Sequence, residues 1–197
     1  MAERRVIFII PGFRQHPKNK AYQEISKILE SEDYFPILVK IEWKKSTVSE
    51  NTEYFLKLYK KIKARKKYIL GFSYGAMIAF VASTKVRTSG LILCSLSPYF
   101  KEDLSNKKKE SFSALMSYRY EDFTKLNSSN LAKNIKAKKI LMLYGSQEAR
   151  SLIKRVKETF EQIDSKQKHL VSIRKTEHEI GNKRYIESIH LAAKNFL

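Results

Sequence analysis

The chain has 197 residues, with 39 Lys plus Arg against 20 Asp plus Glu, a formal net charge of +19 and a pI near 9.9. Its one cysteine, Cys94, excludes a disulfide framework and a cysteine-rich zinc site and fits a reducing compartment. The 43% of hydrophobic residues suffices for a sizeable core, and no run of about 18 apolar residues exists to cross a bilayer as a helix.

The first predicted element is a strand at Val6–Ile10, directly after Arg4-Arg5. That apolar run is shorter than the ~7–15 residues of a secretory signal core, so a buried strand of a cytoplasmic protein is expected. A helix with Ile25, Ile28 and Leu29 on one face leads to a strand at Phe35–Ile41. A second helix carries Phe55, Leu56, Tyr59 and Ile62, followed by a strand at Tyr68–Gly71 and a helix with Ala76, Phe80 and Val81. Strands follow at Leu91–Cys94, Ile140–Tyr144 and His169–Arg174. Between and after the last two lie helices with Leu152, Val156, Phe160 and Ile163, then Ile186, Ile189 and Ala193. Most of the strands are near-continuous apolar runs, as in sheets covered on both faces. The alternation predicts an α/β fold: three layers, doubly wound, with a mostly parallel six-stranded sheet and helices on both faces. No repeat or linker divides residues 1–197, which read as a single domain. Residues 97–139 form an unusually long interval before the fifth strand, expected to be a short helical insertion, either a small cap or a long crossover.

Gly71-Phe72-Ser73-Tyr74-Gly75 sits between a predicted strand and a predicted helix, the context of a nucleophile elbow. Small residues two before and two after the serine are required because the helix packs closely on the strand. Chance gives a Gly-x-Ser-x-Gly in such a composition with a probability on the order of 2%. The turn raises the Ser73 hydroxyl beside helix N-terminal N–H groups that can receive an anion.

A serine nucleophile needs a base oriented by an acid. Of the four histidines, His169 opens a strand, His190 lies in the last helix and His16 lies in the first loop. His178 follows the last strand and therefore shares the sheet edge of Ser73. Glu148 follows the fifth strand on that same edge, whereas Asp33 and Asp164 fall on the opposite one; Asp103 remains the fallback acid. Oxyanion donors are expected at the N–H groups of Tyr74, in the elbow, and Phe13, after a turn at Gly12.

Ser73, the Gly-x-x-acid loop at Glu148 and His178, in that order, resemble the α/β-hydrolase superfamily across nearly the whole chain, in its minimal six-stranded form. Pro11-Gly12 stands where that family usually has His-Gly, and Glu148 where it more often has Asp. The resemblance implies a serine hydrolase acting on a carboxylic ester or thioester through an acyl-enzyme. Gly12, Met77, Phe112 and Met116 are expected to contact the substrate. No metal or cofactor is expected, because no histidine pair has ligand spacing, no P-loop occurs and no Gly-x-Gly-x-x-Gly occurs. Two alternatives stay open: an esterase or thioesterase for acyl groups carried by an acidic protein, and a non-catalytic basic binding protein on a hydrolase scaffold. Basic residues gather just before the strands, so an anionic partner is expected on the face opposite Ser73; nucleic acid is not favoured.

Overall fold

A computed structural model describes residues 5–44, 46–104 and 117–196. Strands β1 (Arg5–Ile10), β2 (Tyr34–Leu38), β3 (Lys66–Phe72), β4 (Thr88–Cys94), β5 (Ala137–Gly145) and β6 (Lys168–Ile173) form one sheet. Their order is β2-β1-β3-β4-β5-β6 and every neighbouring pair is parallel. The main helices are α1 (Lys20–Ser31), α2 (Val48–Lys61) and α3 (Tyr74–Lys85). Short helices α4 (Tyr120–Phe123) and α5 (Ser128–Lys133) precede α6 (Arg150–Gln162) and α7 (Lys183–Asn195).

Within the continuous apolar run of β1, successive side chains enter two different cores. Val6, Phe8 and Ile10 join Val48, Phe55 and Tyr59 of α2, Met77 and Phe80 of α3 and Val156 of α6. Ile7 and Ile9 join Tyr22, Ile25 and Leu29 of α1 and Tyr185, Ile186 and Ile189 of α7. The sheet is thus covered on both faces, as its pattern demanded. The central helix α3 is apolar all round because Tyr74–Ser83 are all buried. By contrast α2 is amphipathic, opened by a capping box in which Thr47 and Glu50 exchange hydrogen bonds.

One expectation needs correction. The second strand ends at Leu38 rather than Ile41: Val39 donates one last bond to Ile9 O at 2.9 Å, and the chain then leaves the ladder. Val39 and Ile41 remain buried, and an apolar run cannot by itself distinguish strand from buried loop. The interval before β5 contains, in its described part, a 3-10 turn at Lys101–Asp103 and helices α4 and α5, which pack on α2, α3 and α6. Phe112 and Met116 lie outside the described residues.

The strand starts explain part of the positive charge. In a parallel α/β sheet each crossover helix ends near the start of the next strand, and its last carbonyls lack partners. Lys67, in β3, donates to Tyr59 O near the end of α2 at 2.8 Å. Lys168, opening β6, donates to Phe160 O at 2.8 Å and Ile163 O at 2.6 Å at the end of α6. Lys139 of β5 donates to Phe196 O just past α7 at 2.9 Å. These cations satisfy orphan carbonyls and oppose the negative helix ends. Among the described residues, no helix is long and apolar enough to cross a membrane.

Candidate active site

The strand order reverses between β1 and β3, which makes a crevice at their carboxyl ends. Ser73 occupies that point with φ 56° and ψ −117°, a left-handed backbone that costs a non-glycine residue on the order of 1–3 kcal/mol. Its N–H donates to Cys94 O at 2.8 Å. A Cβ at Gly71 would come within 2.3 Å of Gly75 O, and one at Gly75 within 2.3 Å of Pro11 O. The two glycines are needed for contact: they let α3 touch β3 and the end of β1.

His178 Nε2 is 2.8 Å from Ser73 Oγ, and its ring stacks on Phe72 with centroids 5.0 Å apart. Behind it, Glu148 Oε2 is 3.5 Å from Nδ1. Glu148 is buried, and its other oxygen accepts from Ser95 Oγ at 2.5 Å and from Gly145 N–H at 3.1 Å. Tyr185 Oη, from α7, is 2.7 Å from Ser95 Oγ, and burial raises the Tyr185 pKa well above 10.0, keeping it a protonated donor. Oε1 is therefore consumed by the protein, while Oε2 is buried without a hydrogen-bond partner among the described residues and lies 3.5 Å from His178 Nδ1. The acid loop and the histidine loop are packed together, since a Cβ at Gly145 would lie 2.2 Å from Thr176 O.

The remaining candidates sort clearly. Asp103 is bound by Arg155, with Nη2 2.6 Å from Oδ1, and does not face His178. His190 pairs with Glu32 at 2.8 Å, His169 packs edge-on against Phe196, and His16 accepts from Lys18 N–H at 3.1 Å.

The loop after β1 is held from within. Gly12 N–H donates to Tyr22 Oη at 2.9 Å and Gln15 Oε1 at 3.0 Å; the Tyr22 hydroxyl donates to the same amide oxygen. Trp43 Nε1 donates to Gln15 O at 2.9 Å. The Gly12 donor is thus occupied within the loop, and Phe13 lines the same cavity as Ser73. Tyr74 N–H opens α3 and has no acceptor within the helix. Gly12 is needed for space rather than for a left-handed turn: its φ is not positive, and a Cβ would meet Gln15 Oε1 at 2.7 Å and Phe72 Cδ1 at 2.9 Å.

A cavity of about 550 Å³ opens over Ser73 and His178, with Gly12, Phe13 and Tyr74 in its wall and Ser97, Tyr99 and Leu152 opposite. Met77, expected to contact substrate, does not line it; fully buried in α3, it belongs to the core beneath the sheet face. The sequence reading also missed Gln15, Tyr22, Ser95, Ser97 and Tyr185. Ser95 and Ser97 carried a signal: two hydroxyls interrupt an apolar strand end on the edge of Ser73. Tyr185 carried none, being one more aromatic on a helix's buried face. Among the described residues, no group of His, Cys, Asp or Glu is arranged to hold a metal.

No family model matches the chain, and no curated protein matches its sequence. Solved structures do match. Est1E from Butyrivibrio proteoclasticus superposes with a TM-score of 0.83 at 15% identity, covering 100% of this chain and 88% of that one. The monoacylglycerol lipase from Paleococcus ferrophilus gives 0.75 at 14% identity, over 95% and 91%. The enol-lactonase from Burkholderia xenovorans gives 0.75 at 11%, over 99% and 92%. With its all-parallel sheet, its strand-turn-helix at Ser73 and these likenesses, the chain has the α/β-hydrolase fold.

Proposed function

We propose that the chain is a serine hydrolase that cleaves a carboxylic ester or thioester through an acyl-enzyme. The observation that carries this reading is the 2.8 Å contact between Ser73 Oγ and His178 Nε2, with a buried, pre-oriented carboxylate behind the imidazole. Ser73 attacks the acyl carbonyl while its proton passes to His178; Glu148 holds the Nδ1–H tautomer and stabilises the imidazolium. The N–H groups of Phe13 and Tyr74 receive the oxyanion. The imidazolium then protonates the leaving group, and a water, deprotonated by the same histidine, releases the acyl group. The strained backbone of Ser73 favours this reading over a retired scaffold, because a binding protein has no use for a hydroxyl held at such cost.

Phe13, Phe72, Tyr74, Tyr99 and Leu152 give the cavity a largely apolar wall with no Asp, Glu, Lys or Arg side chain among the described residues. A neutral acyl group is therefore the expected occupant. Est1E has been solved with ferulic acid bound, so aryl acyl esters join short alkyl esters as the first substrates to try. The test is labelling with a fluorophosphonate, which the wild type takes up and Ser73→Ala does not; equal labelling of both, or of neither, refutes the reading.

A second feature supports the expected anionic partner. A cavity of about 650 Å³ at the opposite edge of the sheet is lined by Arg65, Lys67, Arg87, Lys136 and Lys138, with no acidic side chain among the described residues. Burial lowers the pKa of Lys67, so an incoming anion would relieve a desolvated charge. This surface would dock an acidic partner without touching the chemistry at Ser73.

A further inference from the structure

Ser97 is buried, lines the cavity of Ser73, and places its Oγ 3.1 Å from the Ser73 Oγ. Its position is rigid. It follows the left-handed turn at Ser95 (φ 52°) and precedes Pro98. Two residues further on, Phe100 N–H is held by Asp103 Oδ2 at 3.0 Å, and Asp103 is clamped by Arg155.

A count of protons assigns the direction of the contact between the two serines. In the serine-hydrolase reading His178 is the Nδ1–H tautomer, with that nitrogen 3.5 Å from Glu148 Oε2. Nε2 is then bare and accepts the single proton of Ser73. Ser73 has no second hydrogen for Ser97, so the hydrogen between the serines belongs to Ser97.

We propose that Ser97 is a catalytic residue that donates a hydrogen bond to the nucleophile. This rests on the serine-hydrolase reading above and adds to it a third group in contact with the reacting oxygen. Donation into one lone pair of Ser73 Oγ polarises the Ser73 O–H toward His178, because hydrogen bonds in a chain strengthen one another. It also fixes the hydroxyl rotor, leaving the other lone pair to face the acyl carbon. In the attack, the Oγ–carbon bond forms, the carbonyl pair moves to the oxyanion and the Ser73 proton moves to Nε2. Ser97 keeps its own proton throughout. The bond is made to the nucleophile before attack, so it acts on the acylation rate rather than on substrate affinity.

The test is the fluorophosphonate labelling rate and the kcat and KM for a small ester, measured for wild type, Ser97→Ala, Ser97→Thr and Ser73→Ala. Ser97→Ala should unfold at the wild-type temperature, yet label about tenfold more slowly and lose kcat by a similar factor, with KM within about twofold. Ser97→Thr, which keeps the hydroxyl, should recover most of the rate. Wild-type labelling by Ser97→Ala overturns the proposal alone, as does a Thr variant no better than Ala or a change confined to KM. Failure of the wild type to label, or equal labelling of Ser73→Ala, overturns the parent reading and this proposal with it.

Discussion

Replacing Gly75 by alanine tests whether the elbow and the oxyanion loop are one mechanical unit. The added Cβ would lie 2.3 Å from Pro11 O and 2.4 Å from Ile10 O, both backbone atoms that cannot rotate away. Restoring ordinary contact requires a relative displacement of about 1 Å between α3 and the end of β1. Overpacking of this kind costs about 1–3 kcal/mol. Alanine's better helix propensity returns at most about 1 kcal/mol. For a chain of this length each net kcal/mol lowers Tm by about 2–4 °C. The effect on activity should be larger, because the displacement separates Phe13 N–H from Tyr74 N–H, and a 1 Å misplacement costs about 10²-fold. Thermal unfolding and fluorophosphonate labelling of the same preparation read both quantities. Gly181→Ala is the control, since its Cβ would meet Ala21 Cβ at 3.5 Å and Glu179 Oε1 at 3.8 Å, both ordinary contacts. A Gly75→Ala protein that labels within threefold of wild type at an unchanged Tm would refute the reasoning.

Glu102 and the basic cavity give two further expectations. Burial of Glu102 works against its charge, but hydrogen bonds including those from Ser128 N–H, Ser129 N–H and the Ser128 hydroxyl outweigh it and hold the carboxyl below its usual 4.5. Its contribution is therefore full above about pH 4.5 and lost as pH falls through the folded value. Glu102→Gln should cost about 1 kcal/mol at pH 7, the worth of a helix cap, and the Tm gap from wild type should close in acid; an equal gap at pH 7 and pH 3 contradicts this. Reversing the exposed Arg65, Arg87, Lys136 and Lys138 to glutamate should leave ester turnover within about twofold of wild type and abolish salt-sensitive binding to an acidic protein column. Loss of turnover in the folded variant would sink the separation of the two faces.

The sheet was legible because its four central strands, β1, β3, β4 and β5, are buried and must be apolar, and few other patterns produce such runs between helical stretches. The strand ends were less legible: Val39 and Ile41 are as buried as strand residues, but their hydrogen bonds lie elsewhere. Ser73, Glu148 and His178 could be named because a parallel sheet sends every loop after a strand to one edge. That rule orders loops, not side chains, so it gave no warning that Met77 points into the core while Gln15 and Ser97 face the cavity. Helical periodicity is equally silent there, because α3 is apolar on every side.

The choice between Glu148 and Asp103 shows what the sequence held but did not yield. Both follow strands whose carboxyl ends lie at the correct edge, so topology alone leaves them equal. The difference comes from Arg155, which stands between Leu152 and Val156 on the buried face of α6 and is itself 3% exposed. A guanidinium removed from water must be paired and hydrogen-bonded, or it costs several kcal/mol. Asp103 answers that need with both oxygens, and Ser128 takes a further donor at 2.7 Å. Glu148 faces no such demand from a cation: a serine and a backbone N–H hold one oxygen, and the other is left for His178. Glu158 Oε2 also lies 3.4 Å from Nη1, but it is partly exposed, so the buried guanidinium makes its close contacts with Asp103, and that pairing removes Asp103 from the competition for the histidine.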